Sequence, residues 1–325
     1  MSRMVSATEI AEARLPLRDV YDLVREGFEL WGLGQVECPP KVGVHTRPGA
    51  FVHAMPAYLP TKDLVGTKLI GVYPDNPARG VPSANGVIVL IDPETGIPTS
   101  ILDAAWITSV RTAMVSMVDT SLLANPDPTF GIVGATGVTG RAHIDAIATV
   151  FPGSRVLVHS RSPQRLECLL TDYADAACHL EPTGSHEQAV RESDVLIVST
   201  AHLPEPILRT EWLHPGQNVL NVHSRAWPSD VLASVDRVSC DDRRPIVHAE
   251  HGLLEVYPGL DPDVELGEVA TGQKVGRENP DQIIFSFNYG LAIFDVLVAD
   301  YVMRALWSGG AAAPVSPRGR GVPAN

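Results

Sequence analysis

Residues 131–147 read GIVGATGVTGRAHIDAI, with glycines at 134, 137 and 140. An apolar run before these glycines and helical periodicity after them predict a strand–turn–helix whose backbone N–H groups face a pyrophosphate. Gly134 permits the tight turn, Gly137 lets a phosphate approach the backbone, and Gly140 lets the helix pack closely on the strand. Thr136, Val138 and Thr139 complete the loop, which is one residue longer than G-x-G-x-x-G. A dinucleotide with a free ribose 2′-OH is gripped by an acid about 20 residues further on. Here that stretch reads RVLVHSRSPQRLE (155–167), and its first acid is Glu167. Ser160, Arg161, Ser162 and Arg165 stand there instead. A guanidinium with two hydroxyls suits a 2′-phosphate, so the expected cofactor is NADP(H) in preference to NAD(H). Ser199 and Thr200 end a later strand, and His223 and Arg225 end another, where ligands of such sheets bind.

A second set of residues lies before the glycine run. Lys68 interrupts a β-like stretch (GTKLIG), His53 lies in FVHAMPAY, and Arg111 in ITSVRTA falls in the first turns of a helix expected over 107–124. A cation at that end adds to the positive pole of the helix and calls for an anion. Two cations and a helix N-terminus make a carboxylate receptor, so a small carboxylate-bearing substrate is expected.

The elements that must position these groups fall into two patterns. Residues 16–33 carry Val20, Leu23, Val24, Phe28 and Trp31 at helical spacing, with Gly34 as a stop. Short β-like runs follow at 41–46, 50–55, 67–73 and 86–92, and the turn DPETG leads into a partner strand. From Phe130 apolar strands at 130–135, 155–160, 177–180, 194–199, 218–223 and 236–240 alternate with helices, which predicts a parallel, doubly wound sheet. Residues 283–306, broken by Gly290, are expected to form a helix returning to the first part. The expected fold is thus α/β, a Rossmann-type doubly wound domain (126–282) inserted in a split α+β substrate and dimerisation domain (1–125 with 283–307). A Gly/Pro/Ala-rich tail over 308–325 is expected to be flexible.

The chain has 325 residues and a formal net charge of −13, which speaks against nucleic acid or an anionic membrane as partner. It lacks an apolar run of the length a membrane span needs, and its N-terminus does not read as a secretory signal. Cys38, Cys168, Cys178 and Cys240 are scattered, which fits reduced thiols and a cytoplasmic protein. His248 and His251 in HAEHG share a helical spacing but have no evident third ligand, so no metal is expected. A P-loop and a G-x-S-x-G elbow are both missing.

The motifs MPAY (55–58), TKL (67–69), DPETGIP (92–98), ITSVRTA (107–113), the glycine run with RAH after it, GQKVGR (272–277) and GLAIFD (290–295) occur in this order. In order and spacing, over nearly the whole chain, this resembles the ornithine cyclodeaminase/mu-crystallin family. The resemblance implies a homodimer and a split domain around a Rossmann domain. It places Lys68 and Arg111 on the substrate carboxylate, with Lys68 also available for proton transfer. A further basic ligand falls at Lys41 or, allowing for an indel, at Arg47. His53 occupies the position of a glutamate that handles the substrate amine in cyclodeaminases. Counted back from Pro228, their aspartate matches Ala226. Without both acids the remaining family chemistry is hydride transfer at the C=N or CH–NH bond of an imino or amino acid, with His53 or Lys68 as proton donor. Arg225 and His223 would border substrate and nicotinamide. The alternatives are an NAD-dependent ornithine or lysine cyclodeaminase and a non-catalytic NADP(H)-dependent binding protein.

Overall fold

The computed structural model describes residues 2–200, 203, 205–222, 225–244 and 253–307. Two compact units emerge: one takes in the chain up to Pro16, Gly34–Thr108 and the chain from Ala292, the other Leu17–Leu33 and Ser109–Leu291. Sequence composition had put the boundaries at 125/126 and 282/283.

The first unit is built on a six-stranded sheet of β1 (Arg3–Val5), β2 (Val42–Arg47), β3 (Ala50–Leu59), β4 (Leu64–Val72), β5 (Ala84–Ile91) and β6 (Pro98–Asp103). Its order is β1-β6-β5-β4-β3-β2, antiparallel except where β1 joins β6. The expected antiparallel run is present, and β1 with α1 (Ala7–Glu12) adds to it. Alternation sets the faces: His53, Met55, Ala57 and Leu59 of β3 are buried, as are Gly66, Lys68 and Ile70 of β4. That face is covered by the apolar helix α9 (Ala292–Trp307). Gly66 lets it approach, since a Cβ there would lie 3.2 Å from Val296 Cγ2. The opposite face leaves Met4, Val42, Val44, Leu69 and Val87 exposed.

In the second unit eight parallel strands run in the order β13-β12-β14-β11-β10-β7-β8-β9. These are β7 (Phe130–Val133), β8 (Arg155–His159), β9 (His179–Pro182), β10 (Val195–Val198), β11 (Asn218–Asn221), β12 (Arg237–Cys240), β13 (Val264–Glu265) and β14 (Ile284–Phe287). The doubly wound sheet expected from the alternating pattern is therefore present. Its central strands are buried on both sides, as a parallel sheet covered by helices requires. Helices α2 (Leu17–Gly32), α4 (Val138–Val150), α5 (Pro163–Asp172) and α6 (His186–Arg191) accompany it, with the short α7 (Leu253–Val256) and α8 (Leu266–Ala270). Helix α3 (Ala105–Leu123) begins in the first unit and runs on into the second.

One expectation is corrected. Residues 283–306 are not a single helix: β14 enters the sheet between β11 and β12, and the helix starts only at Ala292. A strand buried on both faces shows no alternation, so its apolar run reads like buried helix. The strand expected at 177–180 lies two residues later, at His179–Pro182.

Candidate active site

The glycine run has the expected setting, between β7 and α4. Gly134 adopts φ +98°, and a Cβ on it would lie 2.8 Å from the Ser199 carbonyl oxygen. Gly134 and Ser199 follow β7 and β10, the neighbouring strands from which the chain winds in opposite directions. Ligands bind at such switch points. Gly140 is packed against the turn, with Ala135 Cα 2.6 Å from where a Cβ would stand. Gly137 differs: its nearest neighbour would be the Gly134 carbonyl oxygen at 3.4 Å. It caps α4 without a side-chain acceptor, and Val138 after it is 75% exposed. A glycine not demanded by protein packing, at an exposed helix N-terminus, fits a phosphate cradle.

Beyond β8, Ser162 accepts a hydrogen bond from the Arg165 N–H at 3.4 Å and caps α5, with Pro163 in the first turn. The Ser160 hydroxyl accepts from the Ser162 N–H at 3.2 Å. Both hydroxyls thus order the turn that presents the exposed Arg161 and Arg165. A cleft lined by Thr136, Arg141, Gln164, Arg165 and Cys168 links this turn to the glycine loop. The structure therefore brings together the loop, Arg165 and the end of β8. Thr200 is partly buried beyond Ser199.

In the first unit, strand pairing sets Lys68 opposite Met55 on one side and Ile88 on the other. An ammonium in that apolar row demands a counter-charge. Asp295 of α9 supplies it: Nζ to Oδ2 is 2.7 Å, with side chains 1% and 0% exposed. His53, one strand over on the same face, is buried and stacked on Phe51 with ring centroids 4.2 Å apart. Its ring lies over Gly43 of β2, where a Cβ would collide with it. Lys41 is partly buried just before β2. Arg47 closes the exposed β2–β3 hairpin and donates to the Thr46 carbonyl at 2.8 Å. The register thus groups Lys41, rather than Arg47, with the end of the sheet that carries His53 and Lys68.

Arg111 belongs to the second unit. Its guanidinium occupies the space that a side chain at Gly290 would need, and the Gly290 N–H donates to the buried Asp241 carboxylate. Deeper in α3, Asp119 accepts from Asn218 Nδ2 (3.1 Å) and Asn288 Nδ2 (3.2 Å). Burial raises its carboxyl to about 6 against these amides. His143 of α4 donates through Nδ1 to the Thr139 carbonyl (2.7 Å) and accepts from Ser116 Oγ at Nε2 (2.9 Å), while burial lowers its imidazole to about 4. Ala226 is buried beside Trp227 in an apolar cluster, and Arg225 after β11 is exposed. His223, His248, His251 and the 308–325 tail lie outside the described residues.

Sequence reasoning assigned no role to Asp295, Asp241 or Asp119. Asp295 carried a signal: an acid within the apolar AIFDVLVADYVMRAL needs a buried partner.

A doubly wound sheet with a glycine-loop cradle at its switch point defines a dinucleotide-binding α/β protein. Its sequence matches the model of the ornithine cyclodeaminase/mu-crystallin family over residues 1–310, and the chain belongs to that family. It is 32% identical to the nodulation efficiency protein NfeD of Rhizobium meliloti, over 92% of this chain and 94% of that one. It is 29% identical to the alanine dehydrogenase of Archaeoglobus fulgidus, over 93% and 94%. Among solved structures, that of Thermococcus litoralis Delta(1)-pyrroline-2-carboxylate reductase in complex with NADH and L-proline aligns with TM-score 0.83 at 25% identity, covering 96% of this chain and all of that chain. No helix among the described residues is long and apolar enough to cross a membrane.

Proposed function

We propose that the protein is an NAD(P)H-dependent oxidoreductase acting on the C=N or CH–NH bond of an imino or amino acid. One observation carries this reading within the family. The two positions where cyclodeaminases keep acids hold His53, stacked on Phe51, and Ala226, packed into an apolar core. Amine elimination is left without its base, whereas the cationic groups remain. The relatives reported above, a pyrroline-carboxylate reductase and an alanine dehydrogenase, support the same chemistry.

The second unit would hold the cofactor: the backbone at Gly134–Gly140 cradles the pyrophosphate, and Ser199 and Thr200 border the switch point. A bound nicotinamide would supply a hydride to the substrate carbon. Arg161 and Arg165 favour a 2′-phosphate, and hence NADPH, because a guanidinium makes charge-assisted contacts with it. Arg111, held over Gly290, would bind the substrate carboxylate, with Lys41 and Arg225 as further cations. Lys68 would bind carboxylate and protonate the imine nitrogen, with His53 as the other candidate donor. The exposed apolar face of the first unit's sheet, with Val42 and Val44 at 69% and 62%, supports a homodimer. Cys38, Cys168, Cys178 and Cys240 form no disulfide, which fits a reducing cytoplasm.

The test mixes the protein with NADPH or NADH and with cyclic imine carboxylates, or 2-oxo acids with ammonia or methylamine, and follows loss of nicotinamide absorbance. Turnover is expected, faster with NADPH. Release of ammonia from ornithine or lysine without net cofactor change would overturn the reading. Light scattering checks the dimer.

A further inference from the structure

We propose that Asp295 is a positioning residue for the reaction, one that keeps Lys68 charged and fixes the direction of its Nζ. This rests on the reductase reading for its consequence but not for its physical content. The residues flanking Lys68 across the sheet are Met55 and Ile88, so the two side chains beside it cannot solvate an ammonium. Removed from water, an amine sheds its proton unless a counter-charge holds it. The Asp295 carboxylate does so at 2.7 Å, from a helix otherwise apolar over its buried face. On the same face of β3 the titratable group is His53, which pairs with Ile70, two residues along β4 from Lys68; from α9 the group at Lys68 is Asp295.

The contact has two effects. It keeps a proton on Nζ for transfer to an imine nitrogen. It also makes the proton returnable: after Lys68 gives a proton to the nitrogen, and the carbon takes a hydride, the carboxylate beside the neutral amine still favours the charged form, so a proton from the solvent admitted as product leaves restores the ammonium. Glutamate would keep the charge and lose the position; asparagine would keep the shape and lose the charge.

With lysines only at 41, 62, 68 and 274, the Nζ and Cε resonances of lysine-labelled protein can be assigned by substitution. In the wild type, Lys68 is expected to remain an ammonium above the ordinary lysine value of about 10.4, with slowly exchanging Nζ protons. In Asp295→Asn its transition should move down by about 2 pH units or more. In Asp295→Glu it should stay near the wild-type position. Imine turnover should fall about 100-fold or more in Asp295→Asn with the NADPH Kd unchanged, and its pH profile should follow the Lys68 transition. A wild-type Lys68 that deprotonates below the ordinary lysine value of about 10.4 would overturn the proposal without any variant. So would an unshifted Lys68 in a folded Asp295→Asn protein. If the wild type reduces no imine, the reductase reading fails while the Lys68 titration still decides this inference.

Discussion

Lys68 in the first unit and Asp119 in the second are both ionisable groups placed where water does not reach, yet their surroundings answer them differently. Lys68 meets a full opposite charge at 2.7 Å. Asp119 meets dipoles, the amide nitrogens of Asn218 and Asn288 at 3.1 and 3.2 Å and the Ser286 hydroxyl, with Asp241 adding a repulsive charge. Amide dipoles compensate a buried carboxylate incompletely, which is why Asp119 is raised to about 6. A paired charge stays a charge over a wide pH range and can be used in chemistry. A group solvated by dipoles gains or loses its proton near neutrality, and its energetic weight falls on folding.

The largest effect expected from this contrast is at Lys68. Lys68→Met leaves Asp295 buried without its counter-charge and should cost about 3–5 kcal/mol of stability in urea denaturation. Adding Asp295→Leu should restore most of it. Imine turnover should be lower by about 10³-fold in both proteins, and turnover surviving in the double variant would remove Lys68 from the reaction.

The next effect is on pH dependence and comes in two opposing parts. The folded state holds a proton on Asp119 up to about pH 6, whereas an unfolded aspartate releases it near 4. Asp119 thus contributes stability that is present at acid pH and lost as pH rises through about 6. His143 is the reverse: lowered to about 4, it stays neutral in the folded state while the unfolded imidazole takes a proton below about 6.5. Its contribution is present at neutral pH and lost as pH falls. Each is worth about 3 kcal/mol, and between pH 6 and 4 they oppose one another. Asp119→Asn should therefore make the protein lose stability steeply on acidification, and His143→Gln should make it gain. Urea midpoints between pH 4 and 7 read both slopes. Parallel slopes in the two variants would break the comparison.

Smaller effects separate a glycine needed by the fold from one needed by a ligand. Gly140→Ala drives a methyl against the backbone of Ala135 and should lower stability by about 1–3 kcal/mol. Gly137→Ala meets nothing closer than 3.4 Å, so stability should hardly change while NADPH binding, followed by nicotinamide fluorescence, weakens. Smallest is Arg161→Ala. It should reduce the preference for NADPH over NADH about tenfold, or about 1.4 kcal/mol, in paired Kd measurements.

Much of this molecule was legible in its sequence, for identifiable reasons. The parallel sheet announced itself through apolar runs bounded by turns, and the glycine loop through its place between a strand and a helix. Ser162 was read from the sequence as a cofactor-binding hydroxyl, and its capping of α5 was not read there. Less could be read where the decisive contact joins distant parts of the chain. Nothing near Lys68 in sequence announces Asp295, and only pairing across the sheet sets Lys68 between Met55 and Ile88. Strand β14 was hidden because IIFSF and the following AIFDVLV form one apolar stretch, in which Gly290 was the sole visible break. Where Lys41 and Arg47 fall along β3 also needed the register of β2 on it.

That same Gly290 has a consequence for how the gene can vary. Its φ is +80°, its N–H is held by Asp241, and the room beside its α-carbon is filled by the Arg111 guanidinium. Gly96 has a similar φ of +69° but open space around it, so a new side chain there meets only backbone strain. Every missense base change in a glycine codon installs a Cβ. In a library of all single substitutions, position 290 should therefore be an empty column, its losses tracking those at Arg111, while position 96 keeps part of its alphabet.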